Sequence, residues 1–208
     1  QRECFSSGGF MASSGGSRSL LRSIESDLRS LAAEARKRHQ GRVKEASDFA
    51  ILRLKEVEAA TSEQDGNEDS TTTTTTAGSH FDEESFSRRV LVAAPEVVDA
   101  IVSACDVIDG SNKAKLAVLA LGSLHRLLTR VAIGPDRTMA VLEALDKQGR
   151  SSKDSAVVLK VVQSLIVLLT TCEFRPTLGE TGVSQGIAAL LQLNRSLTPS
   201  GAAGGSPP

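Results

Sequence analysis

SAVVLKVVQSLIVLLTT, residues Ser155 to Thr171, decides the fold. It contains the longest apolar run in the chain, but Lys160 and Gln163 interrupt it and it falls short of the roughly 20 residues a bilayer span needs. Its many valines would suit a strand. However, the polar positions Lys153, Lys160, Gln163, Ser164 and Thr171 recur at helical spacing, which predicts a helix apolar on most sides. Such a helix needs neighbours all round it, and the sequence upstream supplies one. Ser123-Leu-His-Arg-Leu-Leu-Thr129 matches Ser164-Leu-Ile-Val-Leu-Leu-Thr170 at an offset of about 41 residues. The same offset lays Val98, Ile101 and Ala104 on Met139, Leu142 and Leu145, so the unit is a polar outer helix followed by an apolar inner one. That period fits HEAT or armadillo hairpins, each burying its apolar face only against its neighbours. The expected fold is all-α, an armadillo/HEAT-like helical solenoid of about seven helices.

Working outward from this core, Ser151 or Ser152 is the expected N-cap of the apolar helix, and a last helix is expected from about Thr181 to Leu197. Pro135 opens the preceding helix, which carries Met139, Leu142 and Leu145 and ends near Gly149. Ser111 caps a leucine-rich helix from Asn112 to about Val131, and Pro95 opens one that reaches Cys105. Phe86 to Val92 continues a helix before it. At the start, Leu20, Ile24, Leu28, Leu31 and Ala35 share a face of a helix that begins near Ser17 or Ser19 and ends at about Arg38. His39, Gln40 and Gly41 break it. A second helix from Arg42 places Val43, Ala46, Ala50, Leu54 and Val57 on one stripe, completing a hairpin.

The expected organisation is therefore one armadillo-like domain over 18–198. Residues 1–17 read as a disordered N-terminus, with Met11 a candidate start and the residues before it a cloning remnant or upstream extension. Residues 199–208 read as a flexible tail. Within the domain, 62–84 is acidic and threonine-rich with almost no large apolar residue, so it reads as a disordered insertion.

Composition narrows the function. Lys and Arg number 24 and Asp and Glu 25, for a net charge of -1, so any electrostatic case must come from a local patch. With no Trp, no Tyr and six Phe, the chain lacks the stacking platforms of single-stranded nucleic-acid binders, and no nucleic-acid partner is expected. The three cysteines, Cys4, Cys105 and Cys172, are too few and too far apart for a disulfide framework or a zinc site, and fit a reducing compartment. No G-x-x-x-x-G-K-[ST] loop is present. His39, His80 and His125 are scattered, Cys105 and Cys172 sit on apolar helices as structural thiols, and no nucleophile, base and orienter assemble. The expectation is no enzyme, no catalytic, cofactor or metal residues, no cofactor and no small-molecule substrate.

Two basic groups remain. Arg36, Lys37, Arg38, Arg42 and Lys44 crowd the elbow of the first hairpin, either as cations complementing a helix end or as a docking patch for an acidic partner. Lys113, Lys115, Arg126 and Arg130 follow one inner helix, as a solvated edge or as the lining of a groove.

Two stretches carry a family resemblance. LLRSIESDLRSLAAEARKRHQGRVKEASDFAILRLKEV, Leu20 to Val57, resembles the opening hairpin of the Mon-two family, with Ser26, Asp27, Leu28, Arg29 and Leu31 and then Val43, Lys44, Glu45 and Ala46 matching. Ser164 to Thr171 is similar to that family's apolar inner helix ending in Leu-Leu-Thr-Thr. The elbow departs from the pattern, with His39, Gln40, Gly41 and Arg42 where relatives carry an aromatic and prolines. The resemblance covers about Ser19 to Leu197 and implies an N-terminal dimerisation and cyclophilin-binding type domain. Large Golgi Arf exchange factors of the Sec-seven class share it but match the first hairpin less well. It also implies a non-catalytic module of a Golgi and endosome trafficking scaffold, cytoplasmic and peripheral on those membranes. Its partners would be a second copy, other domains of the parent protein and an Arf-like small GTPase. The alternatives are the regulatory domain of a catalytic Arf exchange factor and an unrelated armadillo-like peptide-binding adaptor.

Overall fold

Leucines at helical spacing are the fold's main cohesive element, and the computed structural model, which describes residues 17–65, 79–106 and 114–197, shows where they go. Among the described residues there are eight α-helices and no strand. They are α1 (Ser17–Lys37), α2 (Gly41–Asp65), α3 (Ser79–Ala93), α4 (Pro95–Cys105), α5 (Ala114–Thr129), α6 (Pro135–Ser151), α7 (Ser155–Thr170) and α8 (Arg175–Leu197), with a 3-10 turn at Cys172–Phe174 before the last.

The helices form two layers. In one, α2 packs on α4, α4 on α6 and α6 on α8; in the other, α1 packs on α5 and α5 on α7. The pairs α4/α5 and α6/α7 are the outer and inner helices of the repeat read from the sequence, one outer and one inner helix apart. The first hairpin runs in the opposite sense, entering the inner layer with α1 and leaving in the outer layer with α2. The third helix, α3, makes this possible: it lies against α1 and α2 and returns the chain to the outer layer at α4.

The ends of the helices follow local chemistry. α4 and α6 start with Pro95 and Pro135, where a missing N–H costs nothing. α7 starts two or three residues later than expected. Its cap is Asp154, whose carboxylate accepts from the N–H groups of Ala156 and Val157 at 2.9 and 3.2 Å, while the Ser152 hydroxyl accepts from the Asp154 N–H. α1 and α5 end in the same reversal. The Gln40 N–H donates to Ala35 and the His39 N–H to Arg36, and the Ala132 N–H donates to Leu127 and the Val131 N–H to Leu128. Each places a non-glycine residue in the left-handed region, His39 at φ 57° and Val131 at φ 51°. The elbow therefore turns on His39, and Gly41 already belongs to α2.

Both edges of the segment 62–84 are helical, since α2 reaches Asp65 and α3 begins at Ser79; residues 66–78 lie outside the described part. The Thr61 and Ser62 hydroxyls turn back to donate to the carbonyls of Val57 and Glu58, which satisfies these polar side chains within the helix. The outlying segments 1–16 and 198–208 also lie outside the described residues. At the other end α8 starts six residues before Thr181 and bends at Gly179, whose φ of 58° and ψ of -170° only glycine adopts without strain. Gly186 lets α8 approach α7 closely: a Cβ there would stand 2.7 Å from the Leu169 side chain.

α7 buries Val157, Val161, Leu165 and Leu168 to 1 % exposure or less, as its apolar run predicts. Leu168→Asp places a carboxylate among these side chains with no partner, and the expected loss is roughly 4 kcal/mol or more in urea unfolding. Soluble protein with an unshifted midpoint would contradict the buried position of α7.

Candidate interaction surface

Catalytic chemistry finds little footing. Burial, and next the Asp106 charge, push the Cys105 thiol up to about 12, which disfavours the thiolate a nucleophile requires. Cys172 sits in the exposed 3-10 turn, not on a buried helix as the sequence led us to expect. His125 lies between α5 and α7, with its basicity lowered first by burial and then by Lys160; its buried Nδ1 has no partner. Among the described residues, no three His, Cys, Asp or Glu side chains converge as a metal site, and no single helix is long and apolar enough to cross a membrane.

The basic residues singled out in the sequence separate into tied and free. Arg38 donates through Nε and Nη2 to Glu34 Oε1 at 2.9 and 2.6 Å, and Lys115 Nζ stands 3.4 Å from the other oxygen of Glu34. Glu34 is itself buried, so Arg38 and Lys115 neutralise a carboxylate at the seam of α1 and α5. The Arg38 hydrogen bond is the main reason its pKa falls below the ordinary 4.5, against the opposing effect of burial. Lys44 pairs with Asp48 one turn along α2. Arg126 pairs with Asp27 at 3.0 Å and hydrogen-bonds Ser23, while the Ser123 hydroxyl donates to the same Asp27 carboxylate. Arg130 reaches Glu84 of α3 at 2.9 Å. The Lys115, Arg126 and Arg130 pairs join neighbouring helices, whereas Arg38 and Lys44 pair one turn away along the chain; Lys113 lies outside the described residues.

Arg36, Lys37 and Arg42 remain exposed, and among the described residues none of the three has a hydrogen-bonding or ionic side-chain partner. The structure adds residues that the sequence reading passed over. Arg22 and Arg29 stand on the same exposed side of α1 as Arg36, and Phe49 and Leu52 on α2 are 53 % and 60 % exposed. The heptad spacing of the arginines, and an apolar pair off the Val43–Ala50–Leu54 stripe, were the signals available in the sequence.

A two-layer helical solenoid whose ion pairs fasten its helices, and whose first hairpin exposes several unpaired cations, has the build of a helical interaction domain. Comparison with known families agrees and narrows the class. The model described as DCB, a Mon2/Sec7/BIG1-like dimerisation and cyclophilin-binding domain, matches residues 16–193, so the chain belongs to the DCB family. This is a non-catalytic interaction domain by family. No curated protein and no solved structure gives a match.

The Glu34 arrangement has a pH signature. A carboxylate whose folded pKa is depressed adds stability above its unfolded value of 4.5, and that stability is lost as pH falls through the lower folded value. Glu34→Gln should therefore be less stable than the parent at neutral pH, with the gap closing as a series of thermal melts descends below 4.5. A gap independent of pH would show that the Glu34 charge contributes nothing.

Proposed function

We propose that this chain is a non-catalytic protein-interaction module of a Golgi and endosome trafficking scaffold. It works by self-association, by docking onto other parts of its parent protein and by binding an Arf-like small GTPase, on the cytoplasmic side and peripheral to the membrane. Membership of the DCB family supports the interaction role. The observation that carries the docking surface is the unpaired trio Arg36, Lys37 and Arg42 at the α1–α2 elbow, in a chain whose net charge is only -1. One or two cations suffice to complement a helix end, and this one also has Arg38, already committed to Glu34. The excess suits an acidic partner surface. Charges at such a rim chiefly raise the rate of association and are screened by salt.

The test is a pull-down of purified Arf-like GTPases, each loaded with GDP or a GTP analogue, by the whole chain. Binding of one nucleotide state is expected, weakened by Lys37→Glu/Arg42→Glu at low ionic strength with the melting temperature unchanged. No release of fluorescent GDP should be stimulated at catalytic concentrations. Absence of binding to every GTPase, or stimulated GDP release, would overturn the GTPase reading, and binding indifferent to the double reversal would move the surface away from the elbow.

A further inference from the structure

The first hairpin carries two unlike faces side by side. Arg22, Arg29 and Arg36 recur every seven residues and so form a row along the exposed side of α1. Arg22 and Arg36 have no side-chain partner among the described residues, and Arg29 is held by Glu25 at 2.7 Å. The exposed side of α2 carries Phe49 and Leu52 between Glu45 and Glu56, the latter held by Arg53 at 2.6 Å, with Arg42 and Lys55 also exposed on that helix. The pair Lys55–Glu25, at 3.2 Å, fixes the antiparallel register. Counting from it, Arg36 stands about level with Glu45, Arg29 with Leu52 and Arg22 within a turn of Glu56.

We infer that this hairpin face is the self-association surface: a second copy of the chain docks about a two-fold axis running along the hairpin, laying α1 of each copy across α2 of the other. The inference rests on the self-association part of the proposed function and gives it a location and a geometry. Charge selects the axis. A two-fold axis across the hairpin would set arginine row against arginine row. One along it faces each row with the other copy's glutamates at unchanged height, because rotation about an axis preserves position along it. Phe49 and Leu52 then leave water against the other copy's α1, whose arginine stems are themselves apolar. The face is about 30 Å long and about 20 Å wide, from helix dimensions, or roughly 600 Å² a side. That lies below the ~800 Å² of a standard interface and fits a reversible dimer.

The experiment is sedimentation equilibrium of the whole chain at low ionic strength, with melting curves to confirm folding. Two variants are made, Arg22→Glu/Arg36→Glu and Glu45→Lys/Glu56→Lys. Each alone sets like charges together and should weaken dimerisation roughly tenfold or more. Mixed in equal amounts they should pair as a heterodimer, since both halves of the interface are then complementary. Leu52→Ser should weaken the dimer without altering charge. A parent chain monomeric at every concentration overturns the self-association reading itself. A dimer indifferent to all three variants leaves self-association standing and overturns this surface. Two weakened variants that fail to pair on mixing overturn the two-fold geometry.

Discussion

Three helices, α1, α4 and α7, all pack on α5, and its Leu116, Leu121, Leu124, Leu127 and Leu128 are sealed to 1 % exposure or less. Sealing each such side chain stabilises the fold by about 1.5–3 kcal/mol, so one helix unites the first hairpin with the repeats. The same helix carries the polar seam. Asp27 of α1 takes both Arg126 and Ser123, and Glu34 of α1 takes Lys115, so α1 is set against α5 by charge at two heights as well as by packing. A second fastening joins the outer layer: the buried Gln148 amide of α6 donates to the Cys105 carbonyl at the end of α4, satisfying one of that helix's orphan acceptors, and Lys147 pairs with Asp106 beside it.

This construction explains why unpaired cations stand on the hairpin. A solenoid presents surfaces and does not enclose its ligand, and charges between its helices are spent on cohesion. Lys115, Arg126 and Arg130 are of that kind. Among the described residues no further helix covers the outward sides of α1 and α2, so Arg22, Arg36, Lys37 and Arg42 have no side-chain partner there and Phe49 and Leu52 are exposed. Docking on such a face gains from rigidity, because a helix already fixed by its core loses little freedom when a partner arrives.

Much of the fold was legible in sequence because it rests on local signals: the period of the α7 run, the repeat linking α5 to α7, and the prolines that start α4 and α6. What was not legible depended on distance or on competing local bonds. The order of layers in the first hairpin follows from α3, whose apolar content is too low to announce a full helix. The polar end of α2 is helical to Asp65 although its composition carries no apolar stripe to announce it. At the candidate surface, the elbow cluster was visible as a density of charge, but its division into free and tied members was not. Arg38 had a readable partner in Glu34, one turn back, whereas Arg126 and Asp27 meet only because α1 and α5 stack.

The central claim is that the first hairpin is held rigid as part of one cooperative structure through α5. Native-state hydrogen exchange across a denaturant series measures this directly. The account predicts that the core amides of α1, α5 and α7 exchange only through a common global opening, with the same free energy. Exchange of α1 and α2 at a markedly lower free energy, while α5 and α7 remain protected, would contradict it and make the hairpin a separate, loosely attached unit.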